Sequence, residues 1–365
     1  MKILILTNAD IGLYKFRKEL LEKLCEENKV CVVFPRGEFT EEIKAIGCKY
    51  IPFEFNRRGM NPVADLQQMG RYVRLLKKLK PDIVLTYTIK PNVYGGLACQ
   101  LLKIPYIANV TGLGTSIQNG GLLSFLTISL YKIGLRKASC VFFQNVTNQK
   151  LFLDKRIVNG RSRVIPGSGV NLDNYIYQPY PDDTEGFHFL FVGRVMKDKG
   201  IEELLNASRE IHQKRNDVIT DIVGWSDEDY SEELKTAEEE GTIKFHGLQS
   251  DVKPFYASCH CAVLPSYHEG TANVMLEASS TGRPVITTRV PGCQETFDEG
   301  VTGFGCEVKN ATSLKNAMEK MLDLPFSERE KKGRAARKKM EREYDRRLVI
   351  DAYLEEIKRI NNGTI

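Results

Sequence analysis

The stretch Pro265–Ala278, PSYHEGTANVMLEA, follows the apolar run Cys261-Ala-Val-Leu264, and its reading decides the fold. A β-prone run, a loop of Pro, Ser, Gly and Thr, then a helical pattern through Val274, Met275, Leu276 and Ala278 spell strand, loop and helix. That is the repeating unit of a parallel sheet covered by helices. Glu269 falls in the loop and Glu277 on the helix, eight positions on, so the two carboxylates can address different parts of one ligand. Between them the helix N-terminus offers unpaired backbone N–H groups and a positive dipole end, which suit an anionic diphosphate. Gly270 lets the main chain come close to such a ligand.

A second strand, loop and helix lies upstream in Phe191–Leu205, FVGRVMKDKGIEELL. Gly193 opens its turn, and Arg194 and Lys199 flank it. A guanidinium fork and an ammonium point charge placed this way can hold a diphosphate from two sides. Fixed cations there lower the barrier of any reaction in which charge builds on a departing diphosphate. The Gly-Arg and Lys-Gly pattern alone is common, and the pair of glutamates makes it specific.

Outward from these motifs the same alternation fills the chain. Ile3–Thr7, Val30–Phe34, Asp82–Thr88, Tyr106–Val110 and Cys140–Gln144 read as strands, with helical spans at Lys15–Glu27, Ala64–Lys80 and Asn92–Leu102. After the Pro- and Asp-rich stretch Pro179–Gly186 a new series begins: His188–Val192, Val218–Val223, Ile243–Phe245, Cys261–Leu264 and Pro284–Thr287. The expected fold class is α/β, with two doubly wound Rossmann-like domains facing a central cleft. The expected boundaries are 1–165 for the first domain, 166–186 for a linker and 187–340 for the second domain. Residues 341–365 form a C-terminal helix that is a candidate to pack back across the junction.

Two domains suit a chain of 365 residues with 42% hydrophobic and 27% charged content, typical of a soluble globular protein. Met1–Thr7 reads directly as a strand, so no secretory leader is expected. The longest apolar stretch, Leu122–Leu135, contains Lys132 and is shorter than the ~20 residues of a membrane-spanning helix. Length favours a buried helix there. Nine cysteines, an odd number scattered through strand-like runs, fit reduced thiols in the cytoplasm. Through Ile165 there are 26 Lys and Arg against 12 Asp and Glu, and beyond it 26 against 35. The basic first part can concentrate anionic partners or dock on anionic lipid.

Other patterns carry less. Asp227 and Asp229 form an Asp-x-Asp that could hold a divalent cation, but Arg194 and Lys199 already supply that charge, so a solvated loop is expected. Cys259, His260 and Cys261 alternate across a strand and lack a second ligand pair at zinc spacing, which points to core packing. Gly112 and Gly114 begin a dinucleotide fingerprint whose third glycine position holds Ile117. His188, His212, His246 and His268 show no metal or nucleophile-base spacing.

Taken together these motifs resemble the retaining glycosyltransferases of GT-B fold and family 4 type, whose signature is two glutamates separated by seven residues. The resemblance covers nearly the whole chain, including PGSGVNLDNY at Pro166–Tyr175 and PGCQETFDEGVTGFG at Pro291–Gly305. DIGLYKFRKEL near the N-terminus is similar to bacterial enzymes that extend lipid-diphosphate-linked oligosaccharides, N-acetylgalactosaminyltransferases among them. The resemblance implies that Arg194 and Lys199 bind the donor diphosphate, that Glu277 binds the ribose hydroxyls, and that Glu269 faces the transferred sugar. It also implies main-chain contacts at Gly193, Gly270, Thr271, Ala272, Asn273 and Val274, and at Gly12 from the first domain. Thr111 stands where many members of the family carry a histidine near the sugar, and it joins the acceptor side. A reaction in which the leaving phosphate oxygen helps deprotonate the acceptor needs no protein base.

The resulting expectation is transfer of a hexose or N-acetylhexosamine from a UDP-sugar to a polyprenyl-diphosphate-linked saccharide, with no metal and no cofactor beyond that co-substrate. Arg17, Arg57, Arg58 and Lys90 are the candidate contacts to the acceptor phosphates. Lys132, Arg136 and Lys137, with Arg71, Arg74, Lys77, Lys78 and Lys80, make a basic face for the cytoplasmic membrane surface. The expected location is therefore peripheral on the inner face, with no nucleic-acid partner. Transfer to a soluble acceptor and UDP-sugar epimerisation are the alternatives on the same scaffold. A non-catalytic scaffold is a third reading, and Glu269, Glu277, Arg194 and Lys199 argue against it.

Overall fold

The computed structural model describes residues 1–54, 62–112, 121–184 and 186–363. It divides into two compact units, Met1–Ser168 with Arg347–Ile365, and Gly169–Arg346. Each is built on one all-parallel sheet.

In the first unit the strands are β1 (Lys2–Leu6), β2 (Lys29–Phe34), β3 (Lys49–Pro52), β4 (Ile83–Tyr87), β5 (Tyr106–Val110), β6 (Cys140–Phe143) and β7 (Ser162–Val164). They lie in the order β3-β2-β1-β4-β5-β6-β7. β1, β4, β5 and β6 are almost wholly buried, as expected for strands covered by helices on both faces. The order reverses between β1 and β4, and at such a switch point the loops diverge to opposite faces and leave a crevice at the carboxyl ends of the strands.

The second unit repeats the plan with β8 (Phe187–Val192), β9 (Val218–Val223), β10 (Ile243–Phe245), β11 (Cys261–Leu264), β12 (Val285–Thr288) and β13 (Gly303–Cys306), ordered β10-β9-β8-β11-β12-β13. Its switch point falls between β8 and β11, the two strands that feed the Arg194 and Glu269 loops. The core runs through Phe189, Phe191, Ile222, Val263, Ile286 and Met318, all fully buried. Each such side chain contributes roughly 1.5–3 kcal/mol by leaving water. Gly303 shows how closely the sheet is fitted, because a Cβ there would stand 1.9 Å from the Val285 carbonyl oxygen.

The unit boundaries differ from the expected linker at 166–186. Val170 and Leu172 are buried with Leu276, Met340 and Tyr344, Gln178 N–H donates to the Thr281 carbonyl at 3.0 Å, and Tyr180 Oη donates to the His260 carbonyl at 2.9 Å. These contacts make residues from Gly169 onward part of the second unit. The terminal helix Arg346–Asn361 belongs almost entirely to the first. Its buried stripe Val349, Tyr353, Ile357 and Ile360 joins the cluster of Ile3, Ile5 and Leu85, and Tyr353 Oη accepts from Asn109 Nδ2 at 2.6 Å.

The helix Gly121–Gly134 is a second departure. Ser124, Thr127 and Tyr131 face inward, while Phe125, Leu126 and Ile133 are 66%, 42% and 52% exposed. The buried helix expected from length is thus corrected to a surface helix whose outer stripe is apolar, because spacing of three and four residues separates its two faces. No helix among the described residues is long and apolar enough to cross a membrane. All nine cysteines are free thiols.

Glu356 on the terminal helix is 1% exposed and meets Arg161 at 2.8 Å, Arg163 at 3.1 Å and Arg359 at 2.9 Å. Burial pushes its carboxyl up, but the three guanidiniums outweigh it and hold the group below the usual carboxylate value. A depressed folded-state value means the stabilisation is complete above the unfolded value of 4.5 and is lost as pH falls through the lower folded one. Urea denaturation from pH 7 to pH 3 should show stability falling below that value, and Glu356→Gln should be weaker at pH 7 with a shallower acid limb.

Candidate active site

The chain leaves β8 at Gly193 and runs beside the loop after β9. Val195 N–H donates to the Trp225 carbonyl at 2.9 Å, and Asp227 N–H returns to the Val195 carbonyl at 3.0 Å. This ladder sets Arg194 opposite Asp227, and Arg194 Nη1 donates to Asp227 Oδ2 at 2.7 Å. A short 3₁₀ turn, Lys197–Lys199, ends at Gly200, where φ is 73°. A Cβ at Gly200 would meet the Pro265 carbonyl oxygen at 2.2 Å, so this position requires glycine for both conformation and space. The helix Ile201–His212 begins there.

The loop after β11 packs directly on that turn. Tyr267 N–H donates to the Asp198 carbonyl at 2.9 Å. Lys199 Nζ donates to Glu269 Oε1, and Ser266 Oγ lies 3.0 Å from the same oxygen. The side chains of Lys199 and Glu269 are only 18% and 17% exposed. The helix Asn273–Ser280 then begins, with Ala272 N–H held by the Gly292 carbonyl at 2.7 Å. Gly270 is half-buried, Thr271 and Ala272 are buried, and Asn273 and Val274 form the half-buried first turn. The buried Asn273 Oδ1 has no protein partner. Glu277, one turn further along, accepts from Tyr256 Oη at 2.9 Å on Oε2.

Arg194, Lys199, Glu269 and the segment from Gly270 to Glu277 therefore all follow adjacent strands of the second unit, on the loops at their carboxyl ends and the helix Asn273–Ser280 that continues one of them. Two cations and two acids bordering one sheet crevice, with a helix N-terminus among them, suit a ligand that combines a pyrophosphate with hydroxyl-bearing groups. Cys293 lies under the same loop, and burial together with the Glu269 charge pushes its thiol up to about 12. It stays a neutral thiol rather than a nucleophile.

The Asp-x-Asp lies in an exposed loop, as expected. Asp227 is the partner of Arg194, with its side chain 26% exposed, and Asp229 caps Ser231 through the backbone N–H at 3.3 Å. Within that solvated loop Asp227 has the added role of counter-ion to Arg194. The signal available was the opposite charge at the ends of neighbouring strands, which becomes visible only once β8 and β9 are known to pair. Tyr256, Ser266 and Cys293 were missed as well, and nothing in their local sequence marks them. Cys259, His260 and Cys261 are core residues, with His260 Nε2 against the Asp182 carbonyl at 2.9 Å. His188 and His246 meet through Asp221, at 2.7 and 2.6 Å. Burial acts to raise the Asp221 carboxyl, but the two imidazoles outweigh it and hold it low.

The remaining candidates lie in the first unit. Gly12 is in the first turn of the helix Asp10–Glu27, with open space around its Cβ position. Arg17 in the same helix is 4% exposed. Its guanidinium donates to the carbonyls of Phe16 at 3.1 Å and Gly167 at 3.4 Å and stacks over Tyr87. Lys90 follows β4 and is paired with Asp65 at 3.0 Å. Thr111 follows β5 and is half-buried. Arg17 and Lys90 are thus each engaged within the protein, and Arg57 and Arg58 lie outside the described residues.

Comparison with known proteins agrees with this plan. Residues 177–339 match the family described as glycosyl transferases group 1, and residues 2–145 match glycosyl transferase 4-like. The chain is similar to a Campylobacter jejuni protein named N,N'-diacetylbacillosaminyl-diphospho-undecaprenol alpha-1,3-N-acetylgalactosaminyltransferase, 28% identical over 88% of this chain and 90% of that one. It is also similar to a Staphylococcus aureus capsular polysaccharide biosynthesis glycosyltransferase, CapM, 26% identical over 80% of each chain. Among solved structures, Anabaena HepE in complex with UDP and glucose superposes with a TM-score of 0.80 at 19% identity, over 98% of this chain and 99% of that one. That likeness gives the GT-B fold.

The Lys199–Glu269 pair should couple energetically as well as geometrically. In urea denaturation, Lys199→Met and Glu269→Gln should each destabilise the protein, and the double variant should lose less than their sum by about 1–2 kcal/mol. Strict additivity would mean the two charges do not interact in solution.

Proposed function

Because the chain belongs to the glycosyltransferases, with a glycosyl transferase 4-like first part and a group 1 second part, we propose that its donor is a UDP-sugar. The transferred group is a hexose or N-acetylhexosamine, and the acceptor is a saccharide carried on a polyprenyl diphosphate. The observation that carries this reading is the meeting of the Arg194 and Lys199 loop with the Glu269 and Glu277 loop at the switch point of one sheet.

In the reaction the acceptor oxygen forms a bond to the anomeric carbon while the bond to the donor phosphate breaks, and the electron pair leaves on the diphosphate. Lys199 and Arg194 stabilise that charge, an effect that grows as the bond opens and so acts on the transition state. The departing phosphate oxygen takes the proton of the acceptor hydroxyl on the same face, which retains configuration and needs no protein base at Thr111. Glu269 orients the sugar, Glu277 holds the ribose, and Gly193 and the 270–274 backbone grip the phosphates. This reading includes no metal, because Arg194 and Lys199 supply the positive charge a metal would bring.

The lipid-linked acceptor is supported by the name of the Campylobacter relative and by the surface of the first unit. Phe125, Leu126 and Ile133 form an exposed apolar stripe, bordered by exposed Lys132, Arg136 and Lys137. Apolar insertion plus basic residues is the combination that holds a protein on an anionic leaflet. Lys90 and Thr111 are our candidates to meet the acceptor.

With UDP-Gal, UDP-GalNAc, UDP-Glc and UDP-GlcNAc tested in parallel for UDP release, one donor should stand out. Arg194→Ala should lower its turnover by 10- to 100-fold, the equivalent of about 1.5–3 kcal/mol for a charge-assisted contact. Unchanged turnover in that variant would remove the electrostatic role. On flotation, the protein should rise with phosphatidylglycerol vesicles and stay behind with phosphatidylcholine alone, and Phe125→Ser with Ile133→Ser should reduce the bound fraction at least threefold. Equal recovery with both lipids would sink the membrane assignment.

A further inference from the structure

Every cation of the turn after β8 already rests on a carboxylate. Lys199 meets Glu269, Lys197 Nζ lies 3.5 Å from Glu202, and Arg194 Nη1 donates to Asp227 Oδ2 at 2.7 Å. The Arg194 pair is far more open to water than the Lys199 pair. Among the described residues Asp227 is also the only side-chain partner of the Arg194 guanidinium. Asp227 itself sits on a fixed frame. Its N–H donates to the Val195 carbonyl at 3.0 Å, and Glu228, the next residue, accepts from the Lys197 N–H at 2.8 Å. Beneath them the exits of β8 and β9 are packed without slack, since a Cβ at Gly224 would stand 1.8 Å from the Gly193 carbonyl oxygen. An aspartate side chain is short and an arginine long, so on this frame the carboxylate stays and the guanidinium moves.

We propose that Asp227 is a positioning residue that holds Arg194 between turnovers and takes it back from the diphosphate product, so that it competes with UDP and hastens its release. This rests on the reading of Arg194 as a contact to the donor diphosphate. When the bond to the sugar breaks, its electron pair stays on the diphosphate, and the product carries more negative charge than the donor did. Cations that stabilise the opening bond therefore hold the product more tightly than the substrate. Release of product then limits turnover, as it does in many enzymes. A carboxylate within reach of one cation offers that cation a second partner and weakens its hold on the product. An exposed pair is weak enough to open when a diphosphate arrives and to close again as it leaves. Lys199 and Glu269 cannot exchange in this way, because parting them would strand poorly solvated charges.

The two roles open to Asp227 predict effects of opposite sign. If it only props the loop, its loss weakens UDP binding; if it competes for Arg194, its loss strengthens it. Calorimetry on the full chain would measure UDP against wild type, Asp227→Asn, Arg194→Ala and the double variant. Asp227→Asn should bind UDP about threefold to fivefold more tightly, the range set by the modest strength of an exposed pair. In steady-state turnover with the preferred donor, UDP should inhibit that variant more strongly by the same factor. On the Arg194→Ala background the change to Asn should bring no such gain, because the two residues act through each other. Asp227→Ala should tighten UDP in the same direction and supplies the measurement if Asp227→Asn does not fold. An Asp227→Asn protein that binds UDP no more tightly than the wild type overturns the proposal and leaves the reading of Arg194 standing. A gain that persists in full without Arg194 also overturns it, since that is the plain repulsion between two negative groups. Equal UDP affinity in the wild type and Arg194→Ala would remove the reading of Arg194 together with the proposal.

Discussion

Lys199 and Glu269 are 70 residues apart in sequence, and their meeting depends on a single topological constraint, the pairing of β8 with β11. Parallel neighbours deliver their following loops to the same edge of the sheet. The turn at Gly200 and the bond from Tyr267 N–H to the Asp198 carbonyl then lock one loop against the other. A Cβ at Gly200 would stand 2.2 Å from the Pro265 carbonyl oxygen, so any side chain there would push that loop away and the cation would lose the acid. The rest of the site inherits its geometry from that contact, because the helix carrying Glu277 starts only four residues after Glu269.

Both cations proposed to meet the donor are already paired with carboxylates, and the two pairs differ in environment. Arg194 and Asp227 are 43% and 26% exposed, so their pairing is worth about 0–1 kcal/mol and is easily exchanged. Lys199 and Glu269 are far less accessible to water, and separating them would leave charges poorly solvated. The arrangement therefore favours a division of labour. Arg194 can swing from Asp227 onto an arriving phosphate, whereas Lys199 stays anchored and presents its remaining N–H donors. A diphosphate bound between them replaces one weak surface pair and adds to one strong buried one.

The parallel runs and their order of appearance were legible in the sequence because fully covered strands are written as unbroken apolar segments. β3, β7 and β13 were not. Lys49–Pro52 and Ser162–Val164 are short, half-exposed edge strands that lack that signature. Gly303–Cys306 contains two glycines, and a reading by propensity discounts them although Val285 leaves no room for a side chain. The outward stripe of Gly121–Gly134 was hidden for a different reason. Composition reports how apolar a helix is, and only neighbours decide which side is covered. The placement of Glu269, Arg194 and Lys199 after strands, and of Glu277 on the helix that follows, was readable since a local strand–loop–helix motif fixes it. Asp227 and Tyr256 reach Arg194 and Glu277 through space, and no local pattern encodes a partner chosen by sheet order.

The distribution of charge raises a problem that the local geometry resolves. The part of the chain beyond Ile165 carries 26 basic against 35 acidic residues, so at long range it repels the anionic donor proposed for it. At physiological ionic strength, however, exposed charges are screened beyond about 8 Å. Many of these acids are exposed, among them Glu232, Glu233, Glu238 and Glu239 of one helix, and their field fades over that distance. Within the crevice screening is weaker, and Lys199, Arg194 and a helix N-terminus act at contact range. A few oriented positive groups can therefore outweigh a larger diffuse negative charge. For the anionic membrane surface proposed as its partner, the basic first part would rely on many weak contacts that add, and no single residue would have to be placed with care. Local orientation on the acidic part and cumulative charge on the basic part are thus two ways of binding the anions proposed for this chain.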